Sequence, residues 1–240
     1  MRRGDDLVFV GDVHLDRDDP DLPAFLEALE RIGASAARVV LMGDLFNLWI
    51  GDPALEQPHH RAVIDVLRAL RRDGVQLHYL EGNRDYRIAR AHLGATFDAV
   101  SDLGLDESWG GRRIWASHGD LVNAGDAQYR IWRRVSRSDV AQALFGLLPR
   151  SRRFRLAEGL ERRMRGTNLE MKRELPSSTL NAFASPLMRD GADAVVLGHF
   201  HQELDLAVAP GKRILVLPLW KERRRCLRVT ADGTMRFEES

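Results

Sequence analysis

Cysteine is nearly missing from this chain: Cys226 stands alone among 240 residues. A lone thiol excludes an internal disulfide framework and any zinc cage built on cysteine, and it suits a reducing, cytoplasmic setting. Lysine is almost as scarce. Lys172, Lys212 and Lys221 are the only three, so arginine supplies nearly all of the positive charge. No apolar run approaches the ~18 residues that a membrane-spanning helix needs. The N-terminal Met1-Arg2-Arg3-Gly4-Asp5-Asp6 meets acid before any long apolar stretch, so no secretory signal is expected. Aromatic residues are only 7% of the chain, which speaks against an extended stacking surface for nucleic acid.

The composition that remains, 44% hydrophobic and 30% charged, is that of a soluble globular chain, and 240 residues suit a single domain spanning 1–240. A net charge of +1 names no partner, but its distribution does. Eleven arginines lie between Arg130 and Arg165 against only Asp139, Glu158 and Glu161, which leaves the rest of the chain acidic. Such a segment attracts phosphates or an anionic membrane surface.

Short β-rich runs stand at Leu7–Val10, Val39–Met42, Val75–Leu80, Arg113–Ala116, Ala194–Leu197 and Ile214–Leu217. Continuous apolar runs bounded by glycine or charge read as strands buried on both faces. Between them, Leu22, Phe25, Leu26, Leu29 and Ile32 recur at helical spacing, as do Val63, Val66, Leu67 and Leu70. Alternating strands and helices predict a layered α/β architecture. Residues about 123–185 depart from that rhythm and predict an all-helical insertion, either a cap over core surface or a substrate lid.

Five small motifs each follow a strand: Gly11-Asp12-Val13-His14, Gly43-Asp44, Gly82-Asn83-Arg84-Asp85, Ser117-His118-Gly119-Asp120 and Gly198-His199-Phe200-His201. Loops beyond the carboxyl ends of strands in open α/β sheets converge on one crevice. Asp12, His14, Asp44, Asn83, His118, His199 and His201 are thereby expected on one rim. Taken singly, Asp-x-His reads as a helix cap with a satisfied histidine and Gly-Asn-Arg-Asp as a turn. Gly-His-x-His is more suggestive, because alternate residues of extended chain point both imidazoles the same way. As a set, carboxylates and imidazoles without thiolate suit Mn, Fe or Zn, and seven ligands suit two neighbouring ions rather than one. Such pairs activate water and stabilise negative charge on phosphoryl oxygens, so the expected reaction is hydrolysis of a phosphate ester or anhydride.

The order of these motifs resembles the calcineurin-like metallophosphoesterase superfamily over residues about 7–220. The resemblance implies a four-layer α/β/β/α sandwich with a two-metal centre. One metal would take Asp12, His14 and His201, the other Asn83, His118 and His199, with Asp44 bridging. Most members carry histidine after the motif asparagine, where this chain has Arg84. Together with Gly43-Asp44-Leu45-Phe46, Trp49-Ile50-Gly51-Asp52 and His60-Arg61, that substitution is most similar to the UDP-2,3-diacylglucosamine diphosphatases of lipid A synthesis. The resemblance implies attack of water on the α-phosphorus, release of UMP and 2,3-diacylglucosamine 1-phosphate, and Mn2+ as the cation. It further implies that Asn83 and Arg84 stabilise phosphate, and that Asp126, Tyr129, Arg165, Asn168, Lys172 and His199 contact substrate. A lipid-linked nucleotide sugar would need an apolar slot, for which Phe145, Leu147, Leu148, Phe154, Leu156 and Leu160 are candidates. The setting would be peripheral, at the cytoplasmic face of the inner membrane, with no nucleic acid and no obligate protein partner. The chain departs from that family at Asn47 and in the run from Gly166 to Arg173, which leaves open a paralogous phosphodiesterase or nucleotide pyrophosphatase and, more remotely, a binding scaffold.

His59, His78 and His92 fall outside the motifs and are expected on the surface or in strands, and Cys226 is expected as a small buried hydrophobe.

Overall fold

A computed structural model describes residues 4–123, 125, 127–165 and 177–240, except the side chains of residues 161 and 163–165. The chain opens with β1 (Asp6–Val10), α1 (Leu22–Ser35), β2 (Ala36–Leu41), β3 (Trp49–Ile50), α2 (Pro58–Arg72) and β4 (Gln76–Leu80). It continues through β5 (Asp85–Tyr86), α3 (Ile88–His92), β6 (Ala99–Ser101), β7 (Leu105–Trp109) and β8 (Arg112–Ser117). Four helices follow: α4 (Ala127–Ser136), α5 (Asp139–Leu147), α6 (Arg150–Arg165) and α7 (Ser177–Arg189). The last elements are β9 (Ala194–Leu197), β10 (Leu204–Ala209), β11 (Lys212–Val216), α8 (Trp220–Arg223), β12 (Arg225–Val229) and β13 (Met235–Glu239).

Two sheets stack face to face. One has the order β13-β12-β1-β2-β4-β6 and the other β10-β11-β9-β8-β7. Alternation along each strand decides which side chain enters which layer. Leu7, Phe9, Val40, Met42 and Leu80 meet Ile114, Ala116, Val196 and Leu215 between the sheets. Their neighbours Val8, Val10, Val39 and Leu41 face outward onto Phe25, Leu29 and Ile32 of α1 and Val63, Ile64 and Leu67 of α2. On the far side, Val195, Leu197, Ile214 and Val216 are covered by Leu180 and Ala184 of α7. The result is the expected α/β/β/α sandwich. Of the helices expected as an insertion, α7 is therefore the outer layer of the second sheet, while α4, α5 and α6 stand apart from the three cores.

Strands β1, β2, β4 and β6 run parallel, as do β8, β9 and β11. Each of the five motifs begins at the carboxyl end of one of these strands, so one edge of the double sheet collects all of them. His59 and His92 depart from expectation. Both are buried, His59 against Phe46 and His92 against Trp49, because α2 and α3 lay them on the aromatic part of the core. Cys226 is buried as expected.

Candidate metal centre

The motif loops are knitted to one another by their backbones. Asp12 N–H donates to Gly43 O (3.1 Å), and the N–H groups of Val13 and His14 both donate to Asp44 O (3.0 and 2.9 Å). Gly198 N–H donates to His118 O (2.9 Å), and His199 N–H to Asp12 Oδ2 (2.7 Å). Gly43 sits at φ +83°, and a Cβ there would lie 2.6 Å from Gly82 N, so the second and third loops can approach only across a glycine.

Asp12, His14, Asp44, His199 and His201 all have positive φ, between 49° and 71°. Left-handed backbone at a non-glycine residue costs roughly 1–3 kcal/mol and persists where surrounding contacts over-determine it. Five such residues in three adjacent loops aim their side chains at one point.

That point gathers all seven expected side chains. His14 Nε2 and His201 Nε2 are 3.0 Å apart, at 3.9 and 3.5 Å respectively from Asp12 Oδ1. Across the site, Asn83 Oδ1 lies 3.2 Å from His118 Nε2 and 2.9 Å from His199 Nδ1. Asp44 stands between the two groups, with Oδ2 3.7 Å from His14 Nε2 and Oδ1 3.7 Å from His118 Nε2. Asp12 also converges with Asp44 and His118, so both carboxylates face both halves.

The donor set fits divalent cations. Asp44 Oδ2 is fully buried and receives no hydrogen bond from any described residue. His118 Nδ1 lies 2.8 Å from Met42 O, which assigns the ring proton to Nδ1 and leaves the Nε2 lone pair directed into the site. Burial opposes protonation of His118, yet the charges of Asp44, Asp12 and Asp120 outweigh it and raise the imidazole pKa. The field at this point is one that draws in positive charge.

Arg84 brings such a charge from the rim. It is buried, with Nε 3.7 Å from Asp44 Oδ2, Nη1 donating to Asn47 O (3.4 Å) and its N–H donating to Asp44 Oδ1 (3.0 Å). Beside it, Asp85 ties the loop together, Oδ2 accepting from Asp44 N–H (2.8 Å), Gly82 N–H (2.9 Å) and Tyr79 O–H (2.8 Å). Burial, reinforced by the neighbouring Asp44 charge, raises the Asp85 pKa. The aspartate was visible in its motif, but its partner Tyr79 lies inside an apolar strand, where nothing marks it as functional.

The substrate-contact candidates are placed unevenly. Tyr129 O–H donates to Asp120, two residues past His118. Asp126, Asn168 and Lys172 lie outside the described residues, as does the side chain of Arg165 at the end of α6. Phe145, Leu156 and Leu160 share a cavity of ≈ 710 Å³ with Trp132 and Ile50. Leu147 is 81% exposed and does not line that cavity.

Fold and site together define a phosphoester hydrolase. The calcineurin-like phosphoesterase family model matches residues 6–203, and the chain belongs to this family. Its fold is shared with a hypothetical protein from Pyrococcus horikoshii (TM-score 0.53, 14% identity, 98% of this chain and 87% of that one). Sequence relatives are more particular. The chain is 32% identical over 238 residues to a UDP-2,3-diacylglucosamine hydrolase of Aeromonas salmonicida, covering 97% of this chain and 92% of the relative. It is 31% identical to one from Chromohalobacter salexigens (97% and 96%) and 30% to one from Stenotrophomonas maltophilia (94% and 95%). The chain is a hydrolytic enzyme, and the fold and donor set imply divalent metal.

Proposed function

We propose that this enzyme hydrolyses the diphosphate of UDP-2,3-diacylglucosamine, with Asp12, His14 and His201 holding one Mn2+, Asn83, His118 and His199 another, and Asp44 shared. When bound, two such cations supply Lewis acidity, lowering the pKa of water and neutralising phosphoryl charge. Water attacks the α-phosphorus, its bond to the bridging oxygen breaks, and UMP and 2,3-diacylglucosamine 1-phosphate are the products. The leaving group is a phosphate of low pKa and needs little protonation, so a guanidinium serves where a proton donor otherwise would. Arg84, buried beside Asp44, is positioned for that electrostatic role. Asn83 sits one residue from it, its Oδ1 within 3.2 Å of His118 Nε2 and 2.9 Å of His199 Nδ1 in the same half-site. The cavity walled by Trp132, Phe145, Leu156 and Leu160 would take acyl chains, and Arg155 and Arg162 at its margin would meet phosphate or an anionic bilayer. Asp126, Tyr129, Arg165, Asn168, Lys172 and His199 remain the proposed contacts to sugar and nucleotide.

The observation that carries this reading is the seven-residue cluster with Arg84 at its rim, in a chain similar along nearly its whole length to UDP-2,3-diacylglucosamine hydrolases. Purified protein with Mn2+ and UDP-2,3-diacylglucosamine in 18O-water should release UMP carrying the label. Release of UDP, or equal rates with the deacylated nucleotide sugar, would contradict it.

A peripheral site of action, at the cytoplasmic face of the inner membrane, belongs to the same proposal. No helix among the described residues is long and apolar enough to cross a membrane. Val140, Leu144 and Leu147 nevertheless form an exposed stripe along α5, as an interfacial helix would.

A further inference from the structure

The two halves of the metal centre are supported differently. The half with Asp12, His14 and His201 is held by the sandwich itself, through Gly43 and Asp44 and through Lys221, whose Nζ donates to His14 O (2.9 Å). The half with Asn83 and His118 is tied within the sandwich by Asp85, Tyr79 and Met42 O. It is gripped in addition from outside, by the first helix of the insertion and the residue that follows it.

Arg137, immediately past α4, makes the grip on the Asn83 loop. Its Nη2 donates to Gly82 O (2.6 Å) and Asp85 O (3.0 Å), the two carbonyls that bracket Asn83 and Arg84. Its Nη1 donates to Glu81 Oε2 (2.9 Å), one residue upstream, and the guanidinium lies 5.8 Å from the Tyr86 ring, one residue downstream. The side chain is only 10% exposed, so this arginine of the basic cluster faces inward. One turn earlier in α4, Arg133 Nε donates to Asp120 Oδ2 (3.1 Å), which also accepts from Tyr129 O–H. Asp120 follows His118 by two residues. A planar fork reaching two carbonyls and a carboxylate fixes a loop in position as well as in charge.

From this asymmetry we infer that Arg137 is a positioning residue for the half-site of Asn83, His118 and His199, and that α4 is part of the frame of that half-site alone. The inference rests on the metal assignment proposed above and goes beyond it by making one cation position depend on the insertion. Loss of an outer partner to a metal ligand typically weakens metal affinity about 10–100-fold.

Titration of the metal-free full chain with Mn2+, read by EPR and calorimetry, tests it. Wild type should bind two ions. Arg137→Gln should weaken one binding step at least about tenfold and leave the other within about threefold, and it should convert the coupled two-ion EPR spectrum to an isolated-ion one at limiting Mn2+. Arg137→Lys, which keeps the charge without the fork, should fall between the two and covers the case in which Arg137→Gln does not fold. Hydrolysis should lose kcat with KM little changed. Two unchanged steps, or two steps weakened equally with a lowered Tm, would overturn the inference. The substrate proposal fails separately: wild type that binds two Mn2+ but does not cleave UDP-2,3-diacylglucosamine refutes that reading and leaves the titration decisive for Arg137.

Discussion

Arg84 places a full positive charge 3.7 Å from Asp44 Oδ2 while only 5% of its own surface stays exposed. A charge held there is already oriented before substrate arrives, which is the condition under which electrostatic stabilisation is large. Arg84→Gln should keep the fold and both cations but lower kcat by about 10²–10³, with a smaller change in KM, in steady-state assays. A change confined to KM would make Arg84 a ground-state binding group instead. The convergence of these residues was legible in the sequence because the seven candidate donors and Arg84 stand in short glycine-flanked motifs after strands. The positive φ of five of the donors was not legible, since aspartate and histidine, though enriched in left-handed backbone, adopt it in only a small share of their occurrences. Nor was the role of Arg137, whose side chain is indistinguishable in sequence from the exposed Arg134 beside it.

Among the elements, α2 has a chemistry of its own. His60 Nδ1 accepts from Gln57 N–H (3.0 Å), and its Nε2 lies 3.2 Å from Leu48 O, so the neutral ring satisfies both partners. A second proton would turn the acceptor into a donor facing another donor. Burial, with the adjoining His59, holds the His60 pKa down at about 3, and burial lowers that of His59 to about 4. Both groups titrate near 6.5 once unfolded, so the unfolded chain binds more protons between about pH 4 and pH 6.5. Stability should therefore fall as pH drops through that window, with a slope approaching ~2.7 kcal/mol per pH unit from the two rings. Urea unfolding at pH 7.5 and pH 5.5 measures it, and His60→Gln should remove about half of the slope. An unchanged slope would contradict the neutral-ring assignment. The strands show the same limit on legibility. β9 and the Leu7–Val10 and Val39–Leu41 stretches of β1 and β2 announce themselves as unbroken apolar runs because both faces are buried. β10 alternates between half-buried and exposed positions, and β12 and β13 are held partly by ion pairs of Arg228 with Asp6 and Glu238, so their sequences read as ordinary polar surface.

At the scale of the whole molecule, the sandwich and the helical insertion divide the work. Parallel strands bring donors to one edge, and α4, α5 and α6 add an apolar cavity, exposed arginines and the α5 stripe. Part of the arginine cluster is spent inward, on Asp120, Glu81 and Asp52, so the outward charge is smaller than the sequence count suggests. Binding to vesicles containing anionic lipid should still be measurable by co-sedimentation, weaken with added salt, and fall further in Leu144→Asp/Leu147→Asp. Salt-insensitive binding, or none, would remove the peripheral placement. The account as a whole depends on two cations sharing Asp44. Anomalous diffraction at the manganese edge, from crystals grown with Mn2+, locates them directly. The predicted result is two peaks roughly 3.5–4 Å apart, one among Asp12, His14 and His201 and one among Asn83, His118 and His199; a single peak, or peaks away from Asp44, would contradict it.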